Sequence, residues 1–458
     1  MHKTRRPSRQ MREFCFPEAQ RTLSIDLKRG MLAMRLLREG SEGPAVGLLQ
    51  LALTRALFGP LELNGVFGPD TAGALRRFQQ SLGLESDGIA GEKTHAALLP
   101  WYRGYLTHTV CALDTYYRLA ERYGSSVDAI RAANPTLEPE NLPIGAELVI
   151  PLPFPVVPTT IPWFAELTGY CVQGLRARYP FFRSGQIGSS VLGKPLWFLE
   201  LGTGHNRVLY NAAHHANEWI TTPLLLKFAE ELGAAALSGA PIGGYSAAEI
   251  LNYATITLIP AVNPDGIDLV TGELRSGPAF EQAAAIAAAW PRIRFPEGWS
   301  ANIRGVDLNL QYPAGWEQAR ENKAALGYTS PAPTSYVGTA PLTEPESRAM
   351  AEVTRRLSPR LTLSYHSQGQ VIYWQFQDYA PPQARTIVRL FERVSGYEAV
   401  DVPFISGFAG YKDYFLQDFR RPGYTVEVGR GVNPLPLEQF DTIYRDNLGI
   451  LTLAALVT

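Results

Sequence analysis

The sequence predicts an α/β protein with two small modules ahead of it. Three observations lead there. Beyond residue 154 short β-rich runs alternate with helical stretches, between residues 31 and 100 a turn-plus-helix pattern occurs twice, and a proline-rich stretch separates the two regions. With 458 residues, 46% hydrophobic and 19% charged, the chain can fill several cores. Its 42 basic and 43 acidic residues leave a net charge of −1, so no nucleic-acid or membrane partner is expected. No apolar run reaches the roughly 18 residues of a spanning helix. Cys15, Cys111 and Cys171 lie far apart without a CxxC pair and are read as buried or incidental thiols. Any metal must then be held by histidines and carboxylates.

Residues 1–30 mix charges with isolated aromatics and are read as a mobile arm. The basic start, Met1-His-Lys-Thr-Arg-Arg, has no apolar stretch behind it, so no Sec signal is expected. Residues 31–102 carry the echo: Asn64-Gly-Val-Phe-Gly with Thr71, then Asp87-Gly-Ile-Ala-Gly with Thr94. In each half a glycine turn feeds a helix, with the threonine placed where the helix begins. Val46, Leu49, Leu53, Leu75 and Phe78 then form a three-helix miniature core. These residues, with Leu49-Gln and Phe78-Gln, resemble peptidoglycan-binding domain 1. Residues 103–153 read strand, helix, helix, strand: Leu106-Thr-His-Thr-Val, Thr115 to Tyr123, Val127 to Asn134, and Leu148-Val-Ile-Pro. Their spacing is similar to a LysM module, a βααβ unit that holds N-acetylglucosamine chains, although Leu113 replaces the family's usual glycine. His95 and His108 fall at packing positions. Pro151-Leu-Pro-Phe-Pro-Val-Val-Pro is a semi-rigid spacer, because proline can join neither a sheet interior nor a helix interior.

The large domain spans 154–458. Its candidate strands begin at Leu196, Val208, Ala254, Leu361 and Tyr424, and its candidate helices are Pro223 to Leu232, Glu344 to Leu357 and Pro382 to Ser395. Ligands of open α/β sheets sit beyond the carboxyl ends of the strands, and the polar clusters fall there. His215 and Glu218 stand three apart where a strand tip turns into a helix; His214 is expected on the other face as a structural residue. His366 ends another strand. Together the three make a His₂Glu set, which leaves one position of a tetrahedral Zn²⁺ open for water. Glu427, inside the valine-rich run Tyr424-Thr-Val-Glu-Val, is either a salt-bridge partner or a general base. Arg304 and Asn309 flank an apolar strand start, where a cation could polarise a scissile carbonyl. Asn263-Pro-Asp-Gly is most simply a turn.

In this order, His215-x-x-Glu218, Asn263-Pro-Asp-Gly, Gly305-Val-Asp-Leu-Asn, His366-Ser and Glu427 resemble the zinc carboxypeptidase (carboxypeptidase A-type, funnelin) family. The resemblance implies a mixed central sheet with helices on both faces. It also implies His215, Glu218 and His366 as ligands of one Zn²⁺, Glu427 as general base and Arg304 as the carbonyl-polarising cation. The family's Asn-Arg pair, which grips a substrate carboxylate, is Asn309-Leu310 here, and its usual tyrosine is replaced near Ile405. Lys412 aligns with the floor of the specificity pocket and is expected to pair with an acidic substrate group.

The whole layout, including Asp307-Leu-Asn-Leu-Gln-Tyr-Pro, resembles the bacterial γ-D-glutamyl-meso-diaminopimelate peptidase I group. This implies hydrolysis of that amide in cell-wall stem peptides, with glycan chains and stem peptides of peptidoglycan as partners. Another cell-wall zinc carboxypeptidase, a poly-γ-glutamate hydrolase and a non-catalytic wall-binding protein are the alternative readings. A wall substrate without an export signal implies a cytoplasmic or spore-associated location.

Overall fold

The computed structural model describes residues 35–457; the expected N-terminal arm and Cys15 lie outside the described residues. The chain divides into two compact units. One runs to Val156 and takes in Ala177–Pro180, and the other holds Val157–Arg176 and everything from Phe181 onward.

The first unit starts with helices α1 (Pro44–Arg55), α2 (Pro69–Ser81) and α3 (Glu92–Arg103). Val46, Leu49, Leu53, Leu75 and Phe78 are all buried between them, as the apolar spacing predicted. The sequence echo has a physical basis. Gln50 takes the N–H of Gly65 on Oε1 and donates from Nε2 to Asn64, Val66 and Thr71; Gln79 does the same with Gly88, Asp87, Ile89 and Thr94. Each buried amide thus satisfies one glycine turn. Thr71 and Thr94 are not caps: Gly68 and Gly91 hold the N-cap positions, and both hydroxyls lie one turn in, accepting from the glutamines.

Next come β1 (Tyr105–Thr109), α4 (Tyr116–Tyr123), α5 (Val127–Ala133) and β2 (Glu147–Pro151). The strands pair antiparallel around a core of Val110, Leu119, Ile130, Leu148 and Ile150. Thr115 and Ser126 cap the two helices through their hydroxyls. His95 bonds Tyr102 and the Arg35 carbonyl, while His108 bonds Tyr123 and Asp114, so both are structural. Pro151 closes β2, and residues 152–158 form neither helix nor strand.

The second unit contains all but the last two residues of α6 (Ala165–Arg178), β3 (Arg183–Ser189), β4 (Pro195–Leu201), β5 (Asn206–Ala212), α7 (Thr221–Ser238), the short hairpin β6 (Pro241–Ile242) and β7 (Tyr245–Ser246), then α8 (Ala247–Tyr253) and β8 (Ala254–Ile259). It continues through α9 (Pro264–Val270), α10 (Pro278–Ala288), α11 (Trp316–Ala325), α12 (Pro345–Leu357), β9 (Leu361–His366) and β10 (Val371–Tyr373). The last elements are α13 (Ala384–Ser395), β11 (Glu398–Val400), α14 (Tyr411–Phe419), β12 (Gly423–Glu427) and α15 (Phe440–Leu456). Eight strands form one mixed sheet in the order β11-β10-β12-β9-β5-β8-β4-β3. Its centre, β12-β9-β5-β8, is parallel, with antiparallel pairings outside it at β10/β12, β8/β4 and β4/β3. Every residue of β8 and β9 is buried, as the continuous apolar runs of parallel strands require. The parallel register sets the carboxyl ends of β5, β9 and β12 side by side. Among the described residues no helix is long and apolar enough to cross a membrane.

Candidate metal centre

The site is built at those three strand ends. After β5 the chain turns at Ala213 (φ +53°), passes His214 and His215, and makes one 3₁₀ turn, Ala216–Glu218, before α7. The turn is tied at several points. The Thr221 hydroxyl donates to the Glu218 carbonyl (2.7 Å) and accepts from the Ala213 N–H (3.1 Å), while the Ala216 N–H donates to the Ser300 carbonyl (3.0 Å). Asn263, expected in a turn, is the N-cap of α9: its Oδ1 accepts from the Gly266 N–H, and its Nδ2 donates to the His214 and Ala301 carbonyls. A buried amide able to accept and donate at once serves as helix cap and loop clamp together.

His366 ends β9, and Glu427 at the end of β12 is its direct partner across the parallel register. The Glu218 carboxylate lies between the imidazoles, with Oε1 3.0 Å from His215 Nδ1 and Oε2 2.9 Å from His366 Nδ1. The donor atoms of His215, Glu218 and His366 all lie within 4.8 Å of one another. His215 presents its other nitrogen, Nε2, to Asp307 Oδ1 at 3.1 Å. With the Nε2 proton on Asp307, the Nδ1 lone pair faces inward, the tautomer a metal ligand needs. Ligand atoms in a tetrahedral zinc shell are separated by roughly 3.3 Å, and the two nitrogen–oxygen separations here, 3.0 and 2.9 Å, are close to that. The donor set fits Zn²⁺ with a position left open.

The electrostatics agree. Burial pushes the Glu218 carboxyl up, but the two imidazoles more than offset it and hold it low; for Asp307 the balance falls at about 2. Burial, with the charge of Glu218 beside it, pushes the Glu427 carboxyl well above the usual range. Among the described residues no cation is paired with Glu427, and the charged groups that act on it are Glu218 and His215 of the cluster. His214 is a wall and not a ligand, as alternation along the strand predicted. It is fully buried, its Nε2 lies 2.9 Å from the Tyr312 hydroxyl, and its ring stacks on that of His366 with centres 5.8 Å apart.

The remaining expected residues lie elsewhere in the same unit. Asn309 Oδ1 accepts from the Tyr411 N–H (3.0 Å), which leaves Nδ2 as its free donor among the described residues. Leu310 is buried with Trp316, Val337 and Phe408, so an apolar contact has replaced the family's arginine. The structure does not bring Arg304 to the metal cluster. Its guanidinium pairs with Glu344 (3.5 Å) and lines a cavity whose walls include neither histidine. Lys412 is buried, ion-paired with Asp413 and donating to the Gln375 carbonyl (2.6 Å). Asp307 and Asn263 are the functional residues that sequence reasoning left without a role. Both stand in motifs already noticed, but their partners lie 92 and 49 residues away.

A mixed α/β sheet with a His₂Glu set at its strand ends and a carboxylate beside it defines a zinc metallopeptidase. Residues 170–400 match the zinc carboxypeptidase family, and the chain belongs to it. Residues 42–98 match the peptidoglycan binding domain family and residues 108–151 the LysM domain. Gamma-D-glutamyl-L-diamino acid endopeptidase 1 of Lysinibacillus sphaericus is 45% identical over 280 residues, 61% of this chain and 68% of that protein. The uncharacterized protein YqgT of Bacillus subtilis (strain 168) is 40% identical over 276 residues, 60% of this chain and 72% of that protein. A crystal structure of thrombin activatable fibrinolysis inhibitor shares the fold, with a TM-score of 0.51 at 16% identity over 71% of this chain and 94% of that one. Glu427 lies beyond the matched segment, and the pairing of β12 with β9 is what brings it to the site.

Proposed function

We propose that this chain hydrolyses the γ-D-glutamyl–meso-diaminopimelate amide of bacterial stem peptides, with His215, Glu218 and His366 holding zinc and Glu427 as general base. The observation that supports it is the grouping of the three donor side chains, with Glu427 opposite His366 in the strand register, in a chain that also carries two wall-binding modules. A relative named for γ-D-glutamyl-L-diamino acid cleavage points the same way. Zinc, when bound, supplies a Lewis acid that acidifies water and polarises the amide carbonyl. Glu427 takes the proton of the attacking water on its carboxylate and returns it to the departing amine. Asp307 keeps His215 in the ligating tautomer. Asn309 offers Nδ2 to a substrate carboxylate. Arg304, paired with Glu344 in a neighbouring cavity, is assigned to substrate binding, and Lys412 to holding Asp413 and the Gln375 segment. The N-terminal modules raise the local concentration of wall substrate. Action on wall material in the cytoplasm or the spore is part of the same proposal, and cell fractionation tests it.

The decisive experiment is mass spectrometry of L-Ala-γ-D-Glu-meso-diaminopimelate incubated with zinc-loaded wild type and with Glu427→Gln. Release of L-Ala-γ-D-Glu by wild type, with at least a ~100-fold loss in the variant, is the expected outcome. Stoichiometric zinc without cleavage would reject the bond and bring the poly-γ-glutamate or carboxypeptidase reading forward.

A further inference from the structure

Outside the metal centre, charged side chains line open space in the second unit. A cavity of about 490 Å³ is lined by Arg304, Glu344, Gln282, Tyr336, Thr339 and Val306, a size that suits a small ligand or a substrate end group. It shares a wall with the metal centre. Asp307, which holds His215, follows Val306 in the chain and donates its N–H to the Tyr336 carbonyl at 2.8 Å.

One side chain sets both charges. Asn302, fully buried, accepts on Oδ1 from the N–H groups of Arg304 (3.0 Å) and Val306 (3.1 Å), closing a tight turn in which Gly305 has φ +75°. Its Nδ2 donates to Glu344 Oε2 at 2.8 Å. The turn thrusts the Arg304 side chain out, 51% exposed, while the Glu344 carboxylate stays at 6%. Their mutual contact is a single one at 3.5 Å, so four of the five guanidinium N–H donors have no partner among the described residues. A half-exposed pair of this kind contributes little to stability. What the cavity offers is an unspent guanidinium beside a buried carboxylate, the complement of a group that carries an ammonium and a carboxylate on one carbon.

We propose that this cavity receives the free amino-acid end of the substrate's diamino acid, its carboxylate on Arg304 and its ammonium on Glu344. The inference rests on the proposed bond and adds what selects the substrate. A meso-diaminopimelate residue acylated at one amine keeps both charges at its far centre, whereas a lysine residue keeps only the ammonium. Arg304 therefore discriminates between the two, and Glu344 serves both.

The test combines turnover with binding that needs no turnover. Stem tripeptides ending in meso-diaminopimelate or L-lysine are compared for kcat and KM with wild type, Arg304→Ala and Glu344→Gln, the last keeping an acceptor for Asn302. Free meso-diaminopimelate and Nα-acetyl-L-lysine amide, which keeps only the side-chain ammonium, are titrated calorimetrically into the same three proteins. Losing one charge-assisted contact corresponds to roughly 10- to 100-fold. Arg304→Ala is expected to lower the preference for the diaminopimelate peptide by that factor, mainly through KM, and to weaken binding of free diaminopimelate alike. Glu344→Gln weakens both ligands. Equal losses on both peptides, carried by kcat, would overturn the inference and return Arg304 to the reacting carbonyl. If wild type cuts neither peptide, the proposed bond is wrong, and calorimetry still decides the cavity. Binding of diaminopimelate that depends on Arg304 upholds it, and no binding, or binding indifferent to Arg304→Ala, overturns it.

Discussion

Replacing Asp307 by Asn removes a charge without changing shape, and the structure says where the cost falls. Asp307 Oδ1 lies 3.1 Å from His215 Nε2 and accepts from the Asn309 N–H at 3.1 Å, while Oδ2 accepts from the Ser335 N–H at 3.1 Å. All three partners donate, and an amide has only one acceptor atom to offer. If the amide NH₂ turns to Ser335, two donors oppose each other in a buried site. If it turns to His215, the imidazole must take its proton on Nδ1, the atom that faces Glu218 and His366. Either arrangement leaves a buried donor unmet, at about 1–3 kcal/mol, and loss of such an outer partner typically lowers metal affinity about 10- to 100-fold. Competition of the purified protein with a chromogenic chelator at pH 7 measures this directly, with thermal unfolding of the metal-free variant as a control for folding. A zinc dissociation constant within about twofold of wild type would refute the role assigned to Asp307.

Two further perturbations test the packing around the site. Lys412→Ala strips the ammonium from Asp413, 6% exposed, and should cost about 3–5 kcal/mol in urea unfolding; a loss below about 1 kcal/mol would free Lys412 for the substrate role expected from the sequence. Glu346 accepts from the Val191 N–H at 2.9 Å, and burial first, with Asp265 and Glu344 nearby, pushes its carboxyl up to about 7 from 4.5. A raised folded value favours the fold fully below pH 4.5 and loses that contribution as the pH climbs through 7, a change of ~3 kcal/mol. Glu346→Gln should therefore flatten the decline in stability between pH 5 and pH 8, and an unchanged decline would show that Glu346 does not cause it.

How much of this protein was legible in its sequence depends on how far apart the partners stand. His215 and Glu218 could be read together because three residues and one 3₁₀ turn separate them, and the turn's own bonds to Thr221 are local. The strands β5, β8, β9 and β12 were legible as apolar runs, and the repeated glycine turns of the first unit as an echo. His366 and Glu427 were individually ambiguous: a histidine at a strand end and a carboxylate in a valine-rich strand each have a bland explanation. Their meaning came from β12 pairing with β9 in a register that sets Glu427 against His366.

Arg304 shows the opposite case. Its place in the chain, three residues before Asp307, suggested the reacting carbonyl, but the turn built on Asn302 sends the side chain toward Glu344. Asn263 looked like a turn because Asn-Pro-Asp-Gly starts a helix and a turn with the same residues; only the distant His214 and Ala301 carbonyls decide between them. By itself, then, the sequence determined the modules, five of the eight strands of the large sheet, the His-x-x-Glu turn and the exclusion of cysteine ligands, all set by composition and by interactions within a few residues. The tertiary structure alone decided which strand ends adjoin, that Asp307 orients His215, that Lys412 is already paired, and that Arg304 faces a cavity. Those depend on strand order and on hydrogen bonds between segments far apart in the chain, and no local preference encodes them.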